Sequence, residues 1–316
     1  MAENPALAEW NDLKREWLRA LKADNKSDNT IEVYERAVRQ LVDWLNDNSA
    51  RLADDGHDEL GPCDIEAGAL REFQADMLER TSPGNTHTWH RSVCTFFNWL
   101  VAEEERSRSP MDKVKPPIVP KKSIPLVADD VTKAVLDQCK GNDLISRRDT
   151  AIIRLLFDTG CRLSEIANLK KEDVDLDLDV IHVLGKGRKP RSVPFSPKTG
   201  QAISRYLRVR NRAKTAHLPW LWLGDRSRGH LQANGIKIML RRRGERLGMN
   251  GKGNNLHAHR WRHTAAVAWR KNGGDTTSMK RIFGWKSDAM VGHYGDAAAD
   301  EVAHQHAREL NLGDRL

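Results

Sequence analysis

The amino-acid sequence predicts a mainly α-helical chain of two domains, with a small β-sheet confined to the second. Three observations carry that prediction. The chain has 316 residues, enough for two separate cores. Apolar residues recur at three- and four-residue steps through roughly the first third of it. A stretch rich in proline and lysine then separates this region from a remainder that holds a short β-branched run and a returning partner. The expected boundaries are 1–108 for an N-terminal helical bundle, 109–125 for a linker and 126–316 for a mixed α/β second domain with a C-terminal tail.

Leu7, Trp10, Leu13, Trp17 and Leu21 form the stripe of a first amphipathic helix. Asp28, Asn29 and Thr30 each offer a capping side chain to a second, whose apolar side is Ile31, Tyr34, Val38, Leu41, Val42 and Leu45. Leu70, Phe73, Met77 and Leu78 mark a third helix. Trp89, Val93, Phe96, Phe97 and Leu100, after Ser82-Pro83-Gly84, mark a fourth. Large side chains in such stripes pack as core. Pro110, Pro116, Pro117, Pro120 and Pro125, with Lys113, Lys115, Lys121 and Lys122 among them, then favour an extended, solvated connection.

Beyond the linker, Ile152, Ile153, Leu155 and Leu156 make an apolar helix that ends at Gly160. Arg162 follows in a tight turn, with Ser164 as a cap and Glu165 close enough to orient the guanidinium. Val180–Leu184 and 191–195 read as the two strands of a hairpin, with Lys186 at its tip between Gly185 and Gly187. A helix near 197–213 carries Arg205, Arg208, Arg210 and Arg212, and Arg241, Arg242 and Arg243 lie on another. Both runs read as solvated faces that add to a basic surface.

The net charge of +8 conceals an asymmetry. Residues 1–120 hold 15 Lys/Arg against 23 Asp/Glu, and residues 121–316 hold 37 against 21. A polyanion is drawn to the second region by counterion release. Cys63, Cys94, Cys139 and Cys161 are widely spaced with no CxxC pair, so they read as buried thiols and not as a zinc knuckle or disulfide framework. No apolar run is long enough to span a membrane and no charged-then-apolar leader opens the chain, which makes the cytoplasm the expected location.

The most informative stretch is 254–294. His259 and Arg262 fall on one helical face, so a hydrogen-bonding ring and a permanently charged planar fork point at one target, which suits an anion. Past Gly284, Tyr294 lies in a segment that Ser287 or Asp288 is able to start as a new helical turn, and a tyrosine near such a face can serve as a covalent nucleophile. Chemistry on a phosphodiester fits these residue types. A metal site is the competing reading, because His257, His259 and His263 make an HxHx3H array; Arg260 and Arg262 within it disfavour a second cation.

Taken in order, these segments resemble those of the tyrosine recombinases, or phage integrase family, over nearly the whole chain. The family's arginine in TGxRxxE is matched by Arg162, its hairpin lysine by Lys186 and its HxxR pair by His259 and Arg262. A His or Trp after a glycine is matched by Trp285, and the tyrosine nine residues later by Tyr294. Trp261 stands where leucine is usual and Trp285 where histidine is commoner; an indole donates one N–H and does not titrate. The resemblance implies a core-binding, SAM-like N-terminal domain and a catalytic second domain that clamp duplex DNA. It also implies cleavage and rejoining of specific sites through a 3′-phosphotyrosyl intermediate, with no cofactor or metal. Type IB topoisomerases share the catalytic logic, and a DNA-binding protein without catalysis is the rival from another class.

Ala299, Val302, Ala303, Ala307 and Leu310 give the tail a short apolar stripe. In the family such a segment docks on a neighbouring subunit, so the chain is expected to form a tetramer on paired DNA sites, with room for accessory DNA-bending proteins. With little chain before Leu7, the extra arm-binding domain of some integrases is expected to be absent.

Overall fold

A computed structural model describes residues 5–57, 60–120, 125–185, 189–249, 251, 254–285, 287–288, 291–292, 303 and 307–308. The chain divides into two compact units, Met1–Lys122 and Ser123–Leu316.

The first unit is a helical bundle, as the periodicity predicts. Its helices are α1 (Pro5–Ala23), α2 (Asp28–Asp47), α3 (Ser49–Asp54), α4 (Ala67–Arg80) and α5 (Pro83–Ala102). Trp10, Trp17, Leu41, Phe73, Trp89, Phe96 and Phe97 are buried in one cluster. The indoles meet their polar needs inside it: Trp10 Nε1 donates to Leu60 O at 2.8 Å and Trp89 Nε1 to Ala37 O at 3.1 Å. Ser27, not a residue of the Asp28-Asn29-Thr30 group, caps α2, its hydroxyl accepting from Thr30 N, because those three already lie inside the first turn. The six-residue α3 escapes sequence reading because one and a half turns cannot show a period.

The stretch expected to be solvated begins differently. Pro110–Lys113 is a 3-10 turn whose Met111, with Val114 just beyond it, joins the core of the first unit. His90 Nε2 shares a hydrogen bond with Val114 O, and Arg71 and Gln74 donate to the carbonyls of Lys113 and Lys115. Proline ended α-helical order here, as expected, but the two apolar side chains were close enough in sequence to fold back onto the bundle.

The second unit contains α6 (Asp129–Asp137), α7 (Leu144–Thr159), α8 (Leu163–Ala167), α9 (Pro197–Arg210), α10 (Ala233–Glu245), α11 (Ala258–Lys271) and α12 (Thr276–Phe283). A three-stranded antiparallel sheet, in the order β1 (Val174–Asp175), β2 (Val180–Leu184) and β3 (Pro190–Pro194), lies among them. The apolar α7 is the central helix, packed on both α9 and α11. Ile152, Ile153, Leu155, Leu156, Tyr206, Trp222 and Trp261 are buried around it. In β2 the alternation places Ile181 and Val183 inward and leaves His182 and Leu184 exposed. Trp261 is fully buried, with Nε1 3.3 Å from Thr132 Oγ1, so its departure from leucine is a packing change.

Two arginines expected on solvated faces are structural instead. Arg210 is fully buried at the end of α9 and donates to the carbonyls of Ala216, Leu218, Trp220 and Leu221. Arg243 is buried against Asp149, which also pairs with Arg148. The following loop turns back over α9, leaving carbonyls that need donors, and a guanidinium carries five.

Candidate active site

Two helix ends build the site. At the first, α7 stops on Gly160, which has φ 56° in the left-handed region. A Cβ there would lie 2.5 Å from the ring of Phe283 and 3.1 Å from Ala265, so glycine is needed for close approach as well as for conformation. Arg162 then occupies the N-cap position of α8. Glu165 Oε2 accepts from Arg162 N at 2.8 Å and Oε1 from Arg162 Nη1 at 3.0 Å. Ser164, expected to cap, is inside the helix, and the capping role passes to the carboxylate three residues after Arg162.

At the second end, α12 closes on Gly284, with φ 65°. Its last two carbonyls and that of the capping Gly284 each receive a different arginine. Ile282 O accepts from Arg191 Nε at 2.8 Å, Phe283 O from Arg262 Nη2 at 2.6 Å and Gly284 O from Arg162 Nη2 at 3.0 Å. These are carbonyls that the helix itself leaves unsatisfied, and the negative end of the helix dipole favours cations there. Arg262 also donates to Gly160 O at 2.6 Å, so one buried guanidinium ties the two helix ends together. It lies 5.5 Å from the centre of the Phe283 ring and 5.3 Å from that of Trp285, which stack cation–π contacts onto its hydrogen bonds.

Glu165 is the common acceptor. Its side chain is 4% exposed and takes both Nη atoms of Arg191, at 2.9 and 2.8 Å, in addition to Arg162. Desolvation pushes its carboxyl up, but the hydrogen bonds from Arg191 and Arg162 outweigh this and hold it below the usual carboxylate range.

The structure brings Arg162, His259, Arg262 and Trp285 around one cavity of about 420 Å3, whose wall also includes Cys161, Lys237 and His257. Lys186 and Tyr294 lie outside the described residues; on either side of the hairpin tip, Gly185 N donates to Lys189 O at 2.9 Å. Sequence reasoning missed Lys237. It stands on α10, which packs against α8, and no local spacing signals that encounter. Among the described residues no three His, Cys, Asp or Glu side chains are grouped to hold a metal ion, and His263, the third member of the histidine array, is buried. Desolvation by the cavity wall, then the charges of His259 and Arg260, lower the pKa of His257 and favour its neutral ring. Two guanidiniums, two imidazoles and an ammonium around an open concavity make a receptor for an oxyanion with several charged oxygens.

Comparison with known proteins agrees with that chemistry. The phage integrase family matches residues 126–301, and the N-terminal SAM-like domain of phage integrases matches residues 13–106. The chain belongs to the phage integrase family, the tyrosine recombinases, and so to the enzymes that break and rejoin DNA. Tyrosine recombinase XerC of Neisseria meningitidis serogroup C is 27% identical over 292 residues, 91% of each chain. Tyrosine recombinase XerD of Listeria innocua is 27% identical over 311 residues, 96% of this chain and 97% of its own. Among solved structures, XerA recombinase is 25% identical with a TM-score of 0.51, over 94% of this chain and 98% of that one. The Tn1549 transposon integrase in complex with transposon right end DNA is 20% identical with a TM-score of 0.73, over 96% and 99%.

Proposed function

We propose that this protein is a site-specific recombinase that cuts and rejoins duplex DNA through a covalent 3′-phosphotyrosyl intermediate on Tyr294. The observation that carries the proposal is the meeting of Arg162, Arg262, His259 and Trp285 around one open cavity in a chain of this family. Tyr294 Oη attacks the scissile phosphorus in line, and the P–O5′ bond breaks as the new P–O bond forms. The tyrosine proton passes toward His259, and Lys186 protonates the departing 5′-oxygen. Arg162 and Arg262, held by helix-end carbonyls and by Glu165, meet the charge that develops on the non-bridging oxygens with donors already in place. Trp285 packs the wall and contributes no titrating group. The phosphotyrosyl linkage keeps the energy of the broken bond, so a 5′-hydroxyl of another strand reverses the step and exchanges partners.

Double-stranded DNA is the partner this reading requires, and the Tn1549 integrase relative was solved in complex with transposon right end DNA. Strand exchange needs two sites, so the working assembly is a tetramer on paired sites. The tail from 297 to 316 docks between subunits in that assembly, and accessory DNA-bending proteins would act on its geometry. The test uses two differently labelled duplexes, each carrying the site recovered by footprinting DNA next to the gene. Joint molecules bearing both labels are expected. Relaxation of supercoiled plasmid without joint molecules would replace recombination with topoisomerase action, and binding with neither product would leave a DNA-binding protein.

A further inference from the structure

Arg191 belongs to none of the segments that carry the proposed chemistry, yet it touches the supports of nearly all of them. It sits on β3, paired with Val183, only a few positions after the hairpin tip. Its side chain is 13% exposed and spends each of its nitrogens on protein: Nε on Ile282 O, Nη1 and Nη2 on the two oxygens of Glu165. It is absent from the cavity wall, whereas Arg162, which shares Glu165 with it, lines that wall. The approach is tight: a Cβ on Gly284 would lie 3.0 Å from Arg191 Cζ and 3.2 Å from Arg162 Nη1.

We infer that Arg191 is a positioning residue for the reaction, acting on the scissile phosphate only through Arg162. Glu165 without Arg191 would be a buried carboxylate with Arg162 as its one charged partner, and would draw that guanidinium inward, away from Gly284 O and from the cavity. With both arginines present the carboxylate is balanced, and Arg162 is held at a fixed angle between Glu165 and Gly284. The fork matters as much as the charge, because Arg191 bridges a carboxylate and the end of α12 at the same time. The strand that returns from Lys186 and the helix end that leads to Trp285 are thereby joined at one side chain, so the angle of Arg162 is set by both.

The inference rests on the recombinase reading, and its test separates the two. Single-turnover cleavage of a nicked duplex is measured with an ordinary scissile phosphate and with a methylphosphonate at that position, where one charged oxygen is replaced by methyl. The diastereomer used is the one on which Arg162→Ala is least impaired. Arg191→Lys, which keeps the charge and loses the fork, is expected to slow cleavage of the phosphate by about 10²-fold. It should change cleavage of the methylphosphonate by no more than about threefold, since Arg162 then has less to do. The double variant Arg162→Ala/Arg191→Lys should be no slower than Arg162→Ala alone. Because each ratio is taken within one preparation, partial unfolding of a variant cancels. Equal slowing on both substrates, or a double variant slower by the product of the single effects, would show a merely structural arginine and overturn the inference. Wild-type protein that cuts neither substrate would overturn the recombinase reading and this inference with it.

Discussion

A guanidinium that donates to Gly160 O and Phe283 O while lying against two aromatic rings has little freedom left, and Arg262 is 4% exposed besides. Arg262→Lys keeps a charge but cannot bridge two carbonyls. We expect it to lower the rate of DNA cleavage by about 10²–10³-fold, measured in single turnover on a nicked duplex, with binding little changed. Glu165 makes a prediction in pH. Its pKa is depressed in the folded protein, so its pairing stabilises the fold fully above the ordinary glutamate value near ~4.3 and ceases to do so as the pH falls through the depressed value. Urea titrations over the pH range between the ordinary and the depressed value should show wild type losing stability faster than Glu165→Gln; parallel losses there would contradict the assignment. At this scale the sequence was legible where neighbours in the chain are neighbours in space. His259 and Arg262 share a face of α11, and Glu165 reaches Arg162 across one turn. Arg191 read as nothing more than a strand residue, and Lys237 drew no reading, because their places depend on contacts across 26 residues to Glu165 and on the packing of α10 against α8.

At the scale of elements, the two glycine-capped helix ends are the frame of the site. Gly284→Ala and Gly273→Ala both force alanine into the left-handed region, at φ 65° and 77°, and each should cost about 1–2 kcal/mol of stability. Only the first pushes on Arg191 and Arg162; nothing lies within 4 Å of a Cβ at Gly273. Cleavage should therefore fall in Gly284→Ala and persist in Gly273→Ala, and equal activity in the two would remove the helix end from the mechanism. The end of α7 at Gly160, the strand Val180–Leu184 and the amphipathic α1, α2, α4 and α5 were all readable from period and punctuation. Caps were less so: Ser27 and Glu165 displaced the expected groups, because a cap is decided by where the first turn begins, and periodicity fixes that only within a residue or two. The arginine runs divide for a similar reason. Arg210→Met should cost more than about 3 kcal/mol by orphaning the carbonyls of Ala216, Leu218 and Trp220, while Leu221 O keeps the Tyr206 hydroxyl, and it should leave the salt dependence of DNA binding unchanged. Exposed Arg208 should act the other way, its replacement by Gln lowering the salt slope by about 1 with little loss of stability.

Over the whole molecule, charge and chemistry fall in the same half. Residues 121–316 carry the excess of Lys/Arg and every proposed catalytic group, while residues 1–120 are net acidic. The two-domain division and the mainly helical class followed from length, stripes and the proline-rich stretch. The packing of Met111 and Val114 onto the first core did not, because proline composition announces an interruption of helix without saying what the interrupted segment touches. The central claim is that this architecture delivers a tyrosine to a phosphate held by Arg162 and Arg262. Its most direct test is a duplex nicked just beyond the scissile phosphate, so that the released fragment diffuses away and any covalent intermediate accumulates. Digestion of the trapped complex should yield a single DNA-linked peptide with the phosphodiester on Tyr294, and Tyr294→Phe should bind the same duplex without forming the adduct. An adduct that persists in Tyr294→Phe, or that maps to Tyr34 or Tyr206, would contradict the account.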